Sequence, residues 1–181
     1  MYQGGDLRHL TRQIRVPLNM TSFAFPDVKC FNNIYSYVLK DHNWNKLKFV
    51  LFNGDGLFMP RAYDPKSYFG KKAIREHKKV FRILHDNVDA FTSSDVEPLI
   101  PTLIPGTFVN RSGREDKILW TVFNANYRTV KGKLIEIPVQ PAAEYTDLWK
   151  GAPVTTSIHG STASLVVEIG PRDVACISTS E

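Results

Sequence analysis

Lys117-Ile118-Leu119-Trp120-Thr121-Val122-Phe123-Asn124 is the stretch on which the fold turns. Leu119, Thr121 and Phe123 point one way along it, and Ile118, Trp120 and Val122 point the other, the period of two that marks a strand. Short stretches of the same kind follow at 133–137, 143–149, 154–158, 164–169 and 174–179, and one precedes it at 107–110. Turn residues separate them: Arg111-Ser112-Gly113-Arg114, Lys131-Gly132, Lys150-Gly151 and Gly170-Pro171-Arg172-Asp173. Short strands at this spacing predict an antiparallel β-sandwich over residues 106–181.

Upstream the pattern changes. Residues 92–105 hold Pro98, Pro101 and Pro105 without helical period, and read as a linker. Residues 1–91 read as an α/β segment. A strand is expected at 14–20, and Asp27 is placed to cap a helix over 28–40. Leu47-Lys48-Phe49-Val50-Leu51-Phe52 reads as a buried strand that breaks at Asn53-Gly54-Asp55-Gly56. Pro65 suits the first turn of a helix in which Phe69, Ala73, Ile74, His77, Val80, Phe81, Leu84, Val88 and Phe91 recur at steps of three and four. His77 and His85 lie on or near that stripe and read as packing or capping residues.

Composition bounds the function classes. The chain has 181 residues, 43% hydrophobic and 23% charged, which is the globular range. No apolar run approaches the roughly 20 residues that span a bilayer. The first residues, Met1-Tyr2-Gln3-Gly4-Gly5-Asp6, lack the basic start and apolar run of a signal peptide. The formal excess of +5 is matched by the cluster Lys71, Lys72, Arg75, Lys78, Lys79 and Arg82, opposed there by Glu76 alone. Such a cluster attracts phosphates, but it equally forms the solvated face of an amphipathic helix, and no nucleic-acid partner is expected. Cys30 and Cys176 stand far apart, and the five histidines supply no zinc-ligand spacing, so two buried thiols are expected over a disulfide that spacing leaves open, with no metal or other cofactor. Dinucleotide-binding, P-loop and nucleophile-elbow motifs are absent. The sequons at Asn19 and Asn110 carry weight only in a glycosylated, secreted chain.

The strand Ile118 to Asn124, the following Gly132-Lys133-Leu134-Ile135-Glu136-Ile137, the turn Asp147-Leu148-Trp149-Lys150-Gly151 and the closing Val166-Val167-Glu168-Ile169-Gly170-Pro171 resemble the sandwiches that end many (β/α)8-barrel glycoside hydrolases, as in the α-amylase and α-galactosidase groups. Phe25-Pro26-Asp27 and the stretch 49–56 resemble the last two barrel strands, and Asp89-Ala90-Phe91 closes what would be the final barrel helix. The resemblance implies a carbohydrate partner and hydrolysis of glycosidic bonds. A complete barrel takes about 250 residues, and far fewer precede residue 92. The chain is therefore expected to be the C-terminal fragment of such an enzyme, with catalytic carboxylates elsewhere and no catalysis of its own. Open strand edges at 14–20 and 47–52 would then favour self-association. A carbohydrate-binding or scaffolding module, non-catalytic and independently folded, is the alternative.

Three residues stand as candidate substrate contacts. Asp55 follows an apolar run, as barrel site residues follow strands, although an Asn-Gly-Asp-Gly turn alone explains it. Asp27 lies beyond another expected strand end, with helix capping as the structural alternative. Trp149 sits at a turn where a ring would stack on a sugar face, or pack in the core as expected for Trp120 and Tyr145. Arg15 and Arg61 are weaker candidates for the same face.

Overall fold

The computed structural model describes residues 18–25, 28–33, 44–58, 71–114, 117–140 and 143–180. Its helices are α1 (Met20–Ala24), α2 (Trp44–Asn53), α3 (Lys71–Asp86) and α4 (Val88–Phe91). Its strands are β1 (Phe31–Asn33), β2 (Gly56–Phe58), β3 (Val96–Glu97), β4 (Thr107–Arg114), β5 (Lys117–Asn124), β6 (Val130–Pro138), β7 (Glu144–Asp147), β8 (Ala152–Pro153), β9 (Thr155–His159), β10 (Thr162–Ile169) and β11 (Val174–Ser180).

Most of the chain is antiparallel sheet. Six strands run in the order β3-β4-β5-β11-β7-β8, and three more run β6-β10-β9. The faces of β5 divide as the alternation requires. Ile118, Trp120 and Val122 join Leu134, Ile135, Leu165, Ile169 and Ile177 in a cluster fed by both sheets. Leu119 and Phe123 point the opposite way, into a cluster with Leu47, Val50, Leu51 and Phe52 of α2 and Val80 and Ile83 of α3. A bulge where β10 passes β6, between Leu165 and Val166, lets the adjacent Leu134 and Ile135 both be buried. The stretch 92–105 is packed rather than loose: β3 pairs with β4, and Ile100 and Ile104 lie against the two-sheet cluster.

The first part departs from expectation in three places. Residues 47–52 are helical, not a strand. Leu47, Phe49, Val50, Leu51 and Phe52 are all buried, so the run is apolar on every side and carries no period to tell helix from strand. Of the expected helix 28–40, residues 28–33 hold instead the short strand β1 and 34–40 lie outside the described residues; of the expected strand 14–20, residues 14–17 lie outside them and Met20 enters α1. Strand β1 pairs in parallel with β2, Phe31 opposite Gly56, and α2 lies between them in sequence as a crossover helix. The helix expected from Pro65 through Phe91 forms over Lys71–Asp86 and, after Asn87, over Val88–Phe91, with 65–70 outside the described residues; Phe81 and Val88 of the expected stripe are exposed while Val80 and Ile83 enter the core.

The end of α2 is locked to the six-stranded sheet. Gly54, at φ +65°, terminates it with paired bonds from Asp55 N to Val50 O and from Gly54 N to Leu51 O, the Schellman arrangement. The carbonyl of Phe52 remains outside that motif and accepts from Asn110 Nδ2 at 2.9 Å and Thr121 Oγ1 at 2.6 Å. Both donors are almost fully buried. At the other flank Lys48 reaches Asp173 Oδ1 at 2.9 Å and Arg172 O at 3.0 Å.

Removing either donor leaves the Phe52 carbonyl half satisfied. Thr121→Val is expected to cost about 1 kcal/mol, and Asn110→Ala about 1–3 kcal/mol. The double variant is expected to lose more than the sum, because the buried carbonyl then has no partner. Urea midpoints of the four proteins of the cycle measure this.

Candidate functional site

The polar residues at the junction of α1, β1 and β2 assemble around Asp55. Its position comes from the turn that stops α2: Asp55 is the second residue past that helix and immediately precedes β2. The carboxylate is buried and accepts from Ser22 Oγ at 2.6 Å, Asn32 Nδ2 at 2.7 Å and Asn19 Nδ2 at 3.1 Å and 3.2 Å. Asn19 also caps α1 through Thr21 N, and its own N–H donates to Asn53 Oδ1 at 2.7 Å. One carboxylate thus ties the start of α1, strand β1 and the end of α2 together.

Burial raises the Asp55 pKa above the ordinary carboxylate value, against the opposing pull of the three side-chain donors and of Lys29. Burial lowers the Lys29 pKa. Its ammonium donates to Gly54 O and, at 3.4 Å, to Phe91 O, bridging the carbonyl ends of α2 and α4. A cavity of about 30 Å³ beside them is lined by Ser22, Lys29, Cys30, Asn53 and Ser112, among others. It is too small for a sugar ring, since ligand clefts run to about 300 Å³ and more.

Asp55 stands at the N-terminal end of β2, not beyond a strand's C-terminal end, because the run before it is α2. In barrels the C-terminal ends of parallel strands carry chemistry and the N-terminal ends carry stability. Trp149 is buried against α3 and β11, and one face of its ring lies 4.1 Å from Lys79 Nζ. The turn presenting it is built by the buried Asp147, whose Oδ1 accepts from Trp149 N, Lys150 N and Cys176 N. Asp27, Arg15 and Arg61 lie outside the described residues. The two described candidates, Asp55 and Trp149, do not line a common cavity. Trp120 and Tyr145 meet in the two-sheet cluster, ring centroids 6.0 Å apart. Both cysteines are free thiols, Cys176 fully buried and Cys30, against expectation, only partly so. Asn110 of the second sequon is buried under the Phe52 carbonyl. Among the described residues, no group of three or more His, Cys, Asp or Glu is placed to hold a metal, and no helix is long and apolar enough to cross a membrane.

No sequence family and no curated protein matches the chain. Solved structures do. An α-amylase from Geobacillus thermoleovorans, complexed with acarbose, aligns at TM-score 0.58 and 12% identity, over 90% of this chain and 42% of its own. The fold is shared with glycoside hydrolases. A family 27 β-L-arabinopyranosidase from Geobacillus stearothermophilus, complexed with arabinose, aligns at TM-score 0.52 and 12% identity, over 78% of this chain and 31% of its own. The cyclomaltodextrin glucanotransferase CldA aligns at TM-score 0.52 and 9% identity, over 95% of this chain and 38% of its own. The chain thus spans less than half the length of each of these proteins.

The partners of Asp55 come from positions 19, 22 and 32, spacings that match no motif. The one local signal was Gly54, whose place after an apolar run marks a helix end as readily as a strand end.

A group whose folded pKa is raised contributes stability that is present below its ordinary pKa and lost as pH rises through the raised value. The cost of Asp55→Asn is therefore expected to be largest near pH 4 and to shrink toward pH 7, as read from urea midpoints across that range. Trp149→Ala is expected to lower stability by about 3–5 kcal/mol, as loss of a buried indole does, measured by the same denaturation.

Proposed function

We propose that this chain is the C-terminal portion of a carbohydrate-active glycoside hydrolase and does not catalyse alone. Residues 1–91 supply the closing strand–helix repeats of a (β/α)8 barrel, 92–105 join the two parts, and 106–181 form the β-sandwich that follows it. The order of elements carries the reading: a parallel β1–α2–β2 unit, a long helix, then two antiparallel sheets, one of which lies against the helices. The partial match to much longer hydrolase chains supports it.

Glycosidic cleavage takes two carboxylates flanking one bond. Among the described residues the buried carboxylate next to the parallel strands is Asp55, and it faces the end of the sheet where barrels place structure rather than chemistry. In this reading Asp55 and Trp149 hold the frame. The glycan meets the opposite end, beyond Asn33 of β1 and Phe58 of β2. The catalytic pair is supplied by strands that precede this chain.

The in-frame nucleotide sequence upstream of Met1 tests this. Further strand–helix repeats with carboxylates at strand ends are expected there. The longer polypeptide is then expected to release reducing sugar from a glycan that the 181-residue chain leaves intact. A stop codon and ribosome-binding site directly before Met1 would overturn the proposal.

A further inference from the structure

The turn Gly170-Pro171-Arg172-Asp173 joins β10 to β11 and lies against the connection between β5 and β6, residues 125–129. Arg172 stands in it at φ +52°, the left-handed region where glycine is least strained. Its backbone is committed on both sides. The N–H donates to Asn126 O at 3.0 Å, and the carbonyl accepts from Lys48 Nζ at 3.0 Å. Its guanidinium is committed far less. It lies 5.2 Å from the ring centroid of Phe123 and 5.5 Å from that of Tyr127, and Nη1 donates to Ala125 O at 3.3 Å. Its remaining N–H groups have no acceptor among the described residues.

Tyr127, at 87%, is the most exposed large hydrophobic side chain among the described residues. The loop that presents it is pinned from beneath. Asn124 Nδ2 donates to Arg128 O at 2.9 Å and Gly170 O at 2.8 Å, and Asn126 Nδ2 donates to Pro105 O at 3.0 Å. A ring open to solvent on an ordered loop loses little freedom when a ligand covers it. Charge at this end is uneven. The acids of the turn and of the strand before it are paired, Asp173 with Lys48 and Glu168 with Lys131, each at 2.9 Å. Arg172 and the exposed Arg128 have no acid partner among the described residues.

We infer that Tyr127 and Arg172 form a binding site for an acidic sugar residue of a glycan. The pyranose stacks on the Tyr127 ring, and its carboxylate is held bidentately by Arg172, with Arg128 adding to the attraction. The glycan class rests on the carbohydrate-active reading proposed above, and the carboxylate on the two arginines that lack an acid. With Asp173 and Glu168 in ion pairs, the site offers no pair of carboxylates to flank a glycosidic bond, so it binds without cleaving. Covering Phe123 alone would need the aliphatic stem of Arg172 and not its planar head.

Titration of the 181-residue chain with trigalacturonate, maltotriose and benzoate, followed by NMR at the Tyr127 ring and Arg172 Nε–H, tests this. Trigalacturonate is expected to shift both signals, to bind about tenfold more tightly than either other probe, and to weaken as salt is raised. Tyr127→Ala is expected to abolish that binding with the urea midpoint unchanged, since the ring is almost wholly exposed. Arg172→Lys keeps the stem and the charge, and is expected to hold the midpoint but lose about tenfold in affinity with the bidentate contact. Maltotriose binding as tightly as trigalacturonate would overturn the inference, and so would benzoate doing so. No shift with trigalacturonate, in a system whose longer polypeptide releases reducing sugar, would overturn the site and leave the hydrolase reading standing. Trigalacturonate bound here, with no hydrolysis by the longer polypeptide, would overturn that reading and support the site.

Discussion

The carbonyl of Phe52 is the point through which the two halves of the molecule are coupled. It belongs to the last turn of α2, where carbonyls have no partner within the helix. The Schellman bonds at Gly54 take up Val50 O and Leu51 O, and the Phe52 carbonyl is met by Asn110 of β4 and Thr121 of β5. A buried carbonyl without a donor costs about 1–3 kcal/mol, so the register of α2 on the sheet is fixed by two hydrogen bonds as well as by shape. Apolar packing alone would let the helix slide along the sheet. These bonds, with the Lys48–Asp173 ion pair at 2.9 Å, do not.

From that anchor the rest follows by geometry. Fixing α2 fixes Gly54, and its left-handed backbone sends the chain into Asp55 and β2. An added Cβ at Gly54 would stand 2.6 Å from Phe91, so close approach as well as φ demands glycine there. Asp55 then gathers Asn19, Ser22 and Asn32, which sets the start of α1 and the alignment of β1. Lys29 completes the junction by crossing from Gly54 O to Phe91 O.

Sequence and structure agree best where local and tertiary demands coincide. Strand β5 alternates because one face meets the second sheet and the other meets the helices, and the turn at Asp147-Leu148-Trp149-Lys150-Gly151 is written in its own residues. Helix α3 was legible for the same reason, since it is half buried and shows its period. Helix α2 was not. Buried on nearly all sides, its apolar run has the composition of a core strand, and only tertiary context separates the two. Strand β1 was illegible for the opposite reason. Phe31-Asn32-Asn33 has little strand propensity, and it is extended because β2 lies beside it and Asn32 reaches Asp55. The expectation for Asp55 rested on the preceding run being a strand; with that run a helix, Asp55 stands just before β2 rather than just beyond a strand.

The two-sided burial of the six-stranded sheet also decides how far the molecule divides. Leu119, Phe123, Val174 and Cys176 face the helices, and Trp149 closes the same cluster beneath Lys79. Without α2 and α3 these side chains would form an exposed apolar face on a sheet whose other side is already packed. The β-rich part and the two helices therefore share one apolar cluster, although the sequence changes character between them. The parallel strands are different. They join this core through Asp55, which Asn32 of β1 reaches, and through Gly54, where α2 ends and β2 follows.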